Sequence, residues 1–118
     1  MRHRVGGRKF GLPSDQRKAL LRGLMRAVFS HDSITTTETR AKDVRILVDR
    51  CITAARPGDL HARRKVRRVL NDETLVKRVV DTVAPRYKDR PGGYTRITKL
   101  GPRRGDAAMM VKLELITD

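Results

Sequence analysis

The chain contains one cysteine, no tryptophan and only four Phe and Tyr residues in 118. A lone Cys51 excludes an internal disulfide framework and any zinc site that needs several thiolates, and it suits an intracellular setting. With 3% aromatic residues, the chain is too poor in rings to grip single strands by stacking. No apolar run approaches the ~20 residues that span a bilayer. The basic stretch Met1 to Phe10 is not followed by an apolar segment of signal-peptide length. A soluble, cytoplasmic protein without a membrane partner is therefore expected. Acids are scarce as well: 13 Asp and Glu stand against 28 Lys and Arg, a formal charge of +15, and such an excess points to a polyanionic partner.

Catalytic signatures are missing too. His3, His31 and His61 are far apart in sequence and show no metal-ligand spacing, so no metal is expected. There is no phosphate-cradling glycine loop, no HExxH and no GxSxG element. We therefore expect no enzyme, no cofactor and no small-molecule substrate. An RNA-processing enzyme would require a metal-binding acid cluster, and a DNA-binding regulator would require a recognition helix; neither stands out.

What is present is charge arranged around apolar periodicity. Residues 1–30 carry a net +7, residues 31–60 a net 0, residues 61–90 a net +6 and residues 91–118 a net +2. Two separate basic concentrations suit contacts spread over a large nucleic acid. Arginine supplies 20 of the 28 bases, and its planar fork matches phosphate oxygens; a GC-rich genome that favours Arg codons is the alternative cause. Residues 1–13, with Gly6, Gly7 and Gly11 among bases and no period, read as an extended arm that orders on RNA. Residues 14–118 read as one globular domain.

Helical spacing begins at Ser14, a good N-cap, with Leu20, Leu21, Leu24 and Val28 on one face and Lys18, Arg22 and Arg26 on the next. Ser33 to Thr37 is β-branched and reads as a strand. A second helix runs from a cap near Thr37 to about Ala55, burying Ala41, Val44, Val48, Cys51, Ile52 and Ala55. Pro57-Gly58 ends it and Asp59 caps a third helix, marked by Leu60, Val66, Val69 and Leu70 and loaded with bases from Arg63 to Arg68. Five bases in six residues cannot all point one way. A fourth helix starts at Asn71-Asp72, buries Leu75, Val76, Val79, Val80 and Val83, and is expected to stop at Pro85. Tyr94 to Leu100 and Ala108 to Thr117 read as strands, the second with Met109, Val111, Leu113 and Leu115 on one face. Between them, Arg103 and Arg104 sit on a basic hairpin tip. The fold class is α+β, a two-layer arrangement of helix, strand, three helices and two strands, with a small mixed sheet covered by helices on one face.

Several strings carry a resemblance: Met1-Arg2-His3-Arg4 with Gly7-Arg8-Lys9, Ile34-Thr35-Thr36-Thr37 followed by Arg40-Ala41-Lys42-Asp43-Val44-Arg45, and Gly58-Asp59-Leu60-His61-Ala62-Arg63-Arg64. Gly92-Gly93-Tyr94-Thr95-Arg96-Ile97 and Arg103-Arg104-Gly105-Asp106 complete the set. Together they resemble protein seventeen of the bacterial large ribosomal subunit, essentially from end to end. Thr39 departs from a helix-starting Pro, and Gln16 from a His, found in many members. The resemblance implies a structural constituent that binds 23S ribosomal RNA and touches neighbouring large-subunit proteins, protein thirty-two among them. On that footing the expected RNA-binding residues are Arg2, His3, Arg4, Arg8, Lys9, Arg17, Lys18, Arg22, Arg26, Arg40, Lys42, Arg45, Arg63, Arg64, Arg67, Tyr94, Arg96, Arg103 and Arg104. Tyr94 has two readings, a ring stacked on an unpaired base or an aromatic packed within the sheet.

Overall fold

A computed structural model describes residues 10–117. Helix α1 spans Ser14–His31, strand β1 Ser33–Thr37, helix α2 Glu38–Ala55, helix α3 Leu60–Leu70 and helix α4 Glu73–Arg78. The chain then continues through a π-helical turn, Val79–Val83, and a 3-10 turn, Ala84–Tyr87, before strands β2 at Thr95–Pro102 and β3 at Met109–Leu115. The expected order of elements is present. Pro85 does not stop the fourth helix outright; it falls in the first turn of a tighter 3-10 segment that follows directly on the π turn, where, lacking an N–H, it cannot carry the π-helical ladder further.

Local chemistry sets most boundaries. Ser14 is already helical and the flanking residue is Pro13, so the expected serine cap lies one residue too late. Helix α1 ends because Asp32 turns left-handed at φ 64° while its N–H donates to the Val28 carbonyl at 2.8 Å. The Asp59 carboxylate accepts the Ala62 N–H at 2.8 Å and starts α3. Asn71 closes that helix at φ 52°, and the Asp72 carboxylate accepts the Leu75 N–H at 3.2 Å to start α4. Left-handed backbone suits Asn and Asp better than most side chains, because each is short and hydrogen-bonds locally.

The sheet order is β1-β3-β2, and both pairings are antiparallel. The expected mixed sheet is thus corrected. Period-2 alternation says which face of a strand is buried and nothing about its direction, which here is fixed by the path through three intervening helices. The β2–β3 register slips between Lys99 and Gly101. This bulge leaves Leu100 half exposed, and Gly101 takes φ 116°, open to glycine and strained for other residues.

Helix α2 is the keystone, packed against the sheet on one side and against α1 and α3 on others. Every residue of its expected stripe, from Ala41 to Ala55, is buried. Val28, Phe29, Leu70, Val79, Tyr94 and Leu113 join it in one continuous core. Burial pushes the Cys51 thiol up to about 12, so this cysteine serves as a small apolar core residue. Two expected core residues face water instead: Leu60, in the first turn of α3, and Met109, at the mouth of the hairpin.

Candidate nucleic-acid interface

Arg2, His3, Arg4, Arg8 and Lys9 lie outside the described residues. The remaining expected contacts divide into bases that already have protein partners and bases that do not. The second group is the candidate interface.

Arg26 belongs to the first group. Its Nε donates to the Leu70 carbonyl at 2.7 Å, across the gap between α1 and the last turn of α3. Arg78 uses Nε to reach the Phe29 carbonyl in the last turn of α1 at 2.6 Å, and its Nη2 meets Asp32 at 3.1 Å. Arg56 donates to the Lys88 carbonyl at 2.9 Å. The last carbonyls of a helix lack intrahelical donors, and a guanidinium from a neighbouring element supplies one. Arg26 and Arg78 therefore hold helices together and Arg56 ties the end of α2 to the loop after the 3-10 turn, and sequence alone marked only one of the three, Arg26, for a different task.

Tyr94 also leaves the interface. It is fully buried, its ring centroid lies 5.0 Å from that of Tyr87, and its hydroxyl sits 3.2 Å from Thr53 Oγ1. It precedes β2 rather than lying in it, and its carbonyl accepts the Ile116 N–H at 3.0 Å. No face of the ring is left for a base. Phe29 and Tyr87 are buried too.

Acids neutralise several expected contacts. Arg63 pairs with Asp81 on the π turn and Arg67 with Glu73 on α4. Lys42 meets Glu38 at 2.9 Å one turn earlier on α2, and Arg96 faces Glu114 across the β2–β3 pair at 3.7 Å. Arg17 leans on the Ser14 hydroxyl at 3.4 Å. Arg45 lies one helical turn from Asp49, whose carboxyl burial raises above the ordinary range while the Tyr94 backbone, Thr95 and Arg45 pull it back.

At the hairpin tip Arg103 donates from Nε to Asp106 at 3.0 Å. That hydrogen bond, helped by the Ala108 N–H, holds the Asp106 carboxyl down at about 2. A depressed folded-state value means a contribution present above the unfolded carboxylate value near ~3.9 and lost as pH falls through about 2. Acid titration followed by NMR should therefore show the Asp106 carboxyl titrating near that value. In Arg103→Gln it should return toward the ordinary range, and an unchanged midpoint would contradict the pairing.

Lys18, Arg22, Arg40, Arg64 and Arg104 are exposed and make no ion pair with an acid among the described residues. Lys18 and Arg22 share one face of α1. Arg40, in the first turn of α2, and Arg103 both line an open groove of about 570 Å³ with Phe10, Thr37 and Met109. Sequence reasoning passed over Lys65 and Arg68 on α3, both exposed; Lys65 and Arg67 lie at equal angles either side of Val66, and only the acids on α4 and the π turn separate the two flanks. Among the described residues no group of His, Cys, Asp and Glu is placed to hold a metal. None of the described helices is long and apolar enough to cross a membrane.

An α+β domain that exposes separated groups of bases with no acid partner among the described residues fits one class, small basic proteins with a candidate surface for a polyanion. Comparison with known proteins makes the class specific. A family described as Ribosomal protein L17 matches residues 20–116. The "Large ribosomal subunit protein bL17" of Thermoanaerobacter sp. (strain X514) is 54% identical over 112 residues, covering 95% of this chain and 100% of that protein. Those of Clostridium botulinum and Clostridium beijerinckii are 54% identical over 112 residues, covering 95% of this chain and 99% of theirs. The chain belongs to the ribosomal protein L17 family. It is a family of structural ribosome components, not of enzymes.

Proposed function

We propose that this chain, by family a structural constituent of the large ribosomal subunit in the cytoplasm, binds 23S ribosomal RNA there and supports assembly of the subunit. The observation that carries the reading is the set of exposed bases that have no acid partner among the described residues, distributed over α1, the start of α2, α3 and the hairpin tip. A chain that needed only to be soluble has no use for so much unpaired positive charge, which destabilises the compact state by self-repulsion. In this reading residues 1–13 form the arm that orders on RNA, with Arg2, His3, Arg4, Arg8 and Lys9 neutralising phosphates. Lys18 and Arg22 extend that contact along α1. Arg40 adds side-chain charge beside the N–H groups that open α2. Neighbouring large-subunit proteins, protein thirty-two among them, complete the surroundings.

Sedimentation of a cell lysate through a sucrose gradient, with the chain followed by mass spectrometry, tests the reading. Stoichiometric co-migration with the large subunit that survives moderate salt is the expected result. Migration as a free small protein, or with DNA, would overturn it.

A further inference from the structure

Helix α3 sorts its charges. Ala62, Val66 and Leu70 are buried against the core. At 100° per residue, Arg63 and Arg67 fall on the flank that faces α4 and the π turn, where Glu73 and Asp81 meet them. His61, Arg64, Lys65 and Arg68 fall on the outward face; all four are exposed, and none pairs with an acid among the described residues.

That outward face is unfavourable in isolation. Arg64 and Arg68 stand four apart, and Lys65 and Arg68 three apart, spacings at which like charges meet on a helix surface and repel. The helix dipole is served at both ends, by the Asp59 carboxylate at the N-cap and by Arg67 and Arg68 in the last turn, so the repulsion is confined to the outward face. Local conflict of this kind, beside a flank that is carefully neutralised, marks a surface selected for a partner rather than for the stability of the helix.

We propose that the outward face of α3 lies along the phosphate backbone of double-helical RNA, with Arg64, Lys65 and Arg68 as the contacting cations and His61 at their edge. Arg63 and Arg67 are positioning residues that brace α3 against α4 and the π turn. The assignment rests on the RNA-binding reading above and sharpens it in two ways. It moves the α3 contact from Arg63 and Arg67 to Lys65 and Arg68, and it chooses duplex over single-stranded RNA. The second choice follows from the rings: Phe29, Tyr87 and Tyr94 are buried and Phe10 is half-buried, so the described surface offers no stacking platform. Without one, recognition falls to phosphate, sugar and shape.

The test is filter binding of the full chain to 23S ribosomal RNA, to a plain RNA duplex and to poly(U), each across a potassium chloride series. Wild type should favour the duplex over poly(U). The triple variant Arg64→Gln, Lys65→Gln, Arg68→Gln should lower the log–log salt slope on 23S RNA by about 2–3, at roughly 0.7–0.9 per lost phosphate contact. The pair Arg63→Gln, Arg67→Gln should keep the wild-type slope and melt earlier. A triple variant with the wild-type slope, an equal loss in the pair, or a preference for poly(U) would overturn the α3 assignment and leave the broader reading standing. Absence of salt-dependent RNA binding by the wild type would remove the broader reading itself.

Discussion

Tyr94→Ala is expected to destabilise the domain by about 3–5 kcal/mol, the range for truncating a large buried aromatic. The ring is completely enclosed and tilted at 48° against Tyr87, and its removal also orphans the contact with Thr53. Tyr94→Phe keeps the packing and gives up only the hydroxyl, for about 1 kcal/mol. Chemical denaturation separates the two. Since a domain of this size has roughly 5–15 kcal/mol in hand, the alanine variant should be partly unfolded well below the wild-type melting temperature. RNA affinity of the folded fraction should stay unchanged in both, and a specific loss of affinity in Tyr94→Phe would return the ring to the interface.

Arg26→Met and Arg78→Met should each cost about 1–3 kcal/mol, because each leaves a helix-end carbonyl, of Leu70 or Phe29, without its donor. Methionine keeps much of the aliphatic stem, so packing changes little. The salt slope for RNA should be unaltered in both. Arg22→Ala, one turn from Arg26 and exposed, should do the reverse, with the slope falling by roughly 0.7–0.9 and stability nearly constant. A lower slope in Arg26→Met with unchanged melting would show that the Leu70 contact is incidental.

Periodicity made the buried half of the molecule legible. The α2 stripe, the five apolar residues from Leu75 to Val83 and the alternation of Val111, Leu113 and Leu115 were all readable because burial repeats at 3.6 or 2 residues. Leu60 and Met109 misled because each sits at the end of its element, where the neighbouring layer no longer reaches. The cationic half was harder to read. A guanidinium serves a phosphate, a carboxylate or a helix-end carbonyl with the same atoms, and spacing along one element cannot say what another element places opposite. Arg22 and Arg26 look alike in the sequence, and only the approach of α3 distinguishes them. The same holds for Arg63 and Arg64, adjacent in the chain and assigned to different neighbours by Asp81. That acid owes its place to the π turn, a local widening that no residue in Val79–Val83 announces.

The sheet order has a consequence for how the chain is made. Strand β3 lies between β1 and β2, yet it is the last strand to leave the peptidyl transferase centre. At roughly 5–20 residues per second, β1 waits several seconds with both edges open before residues 109–115 exist. Helix formation needs only local contacts and is fast, whereas these strand pairings are long-range and slow. Nascent chains of this protein should therefore carry helices around an unfinished core, with β1 unpaired until β3 emerges.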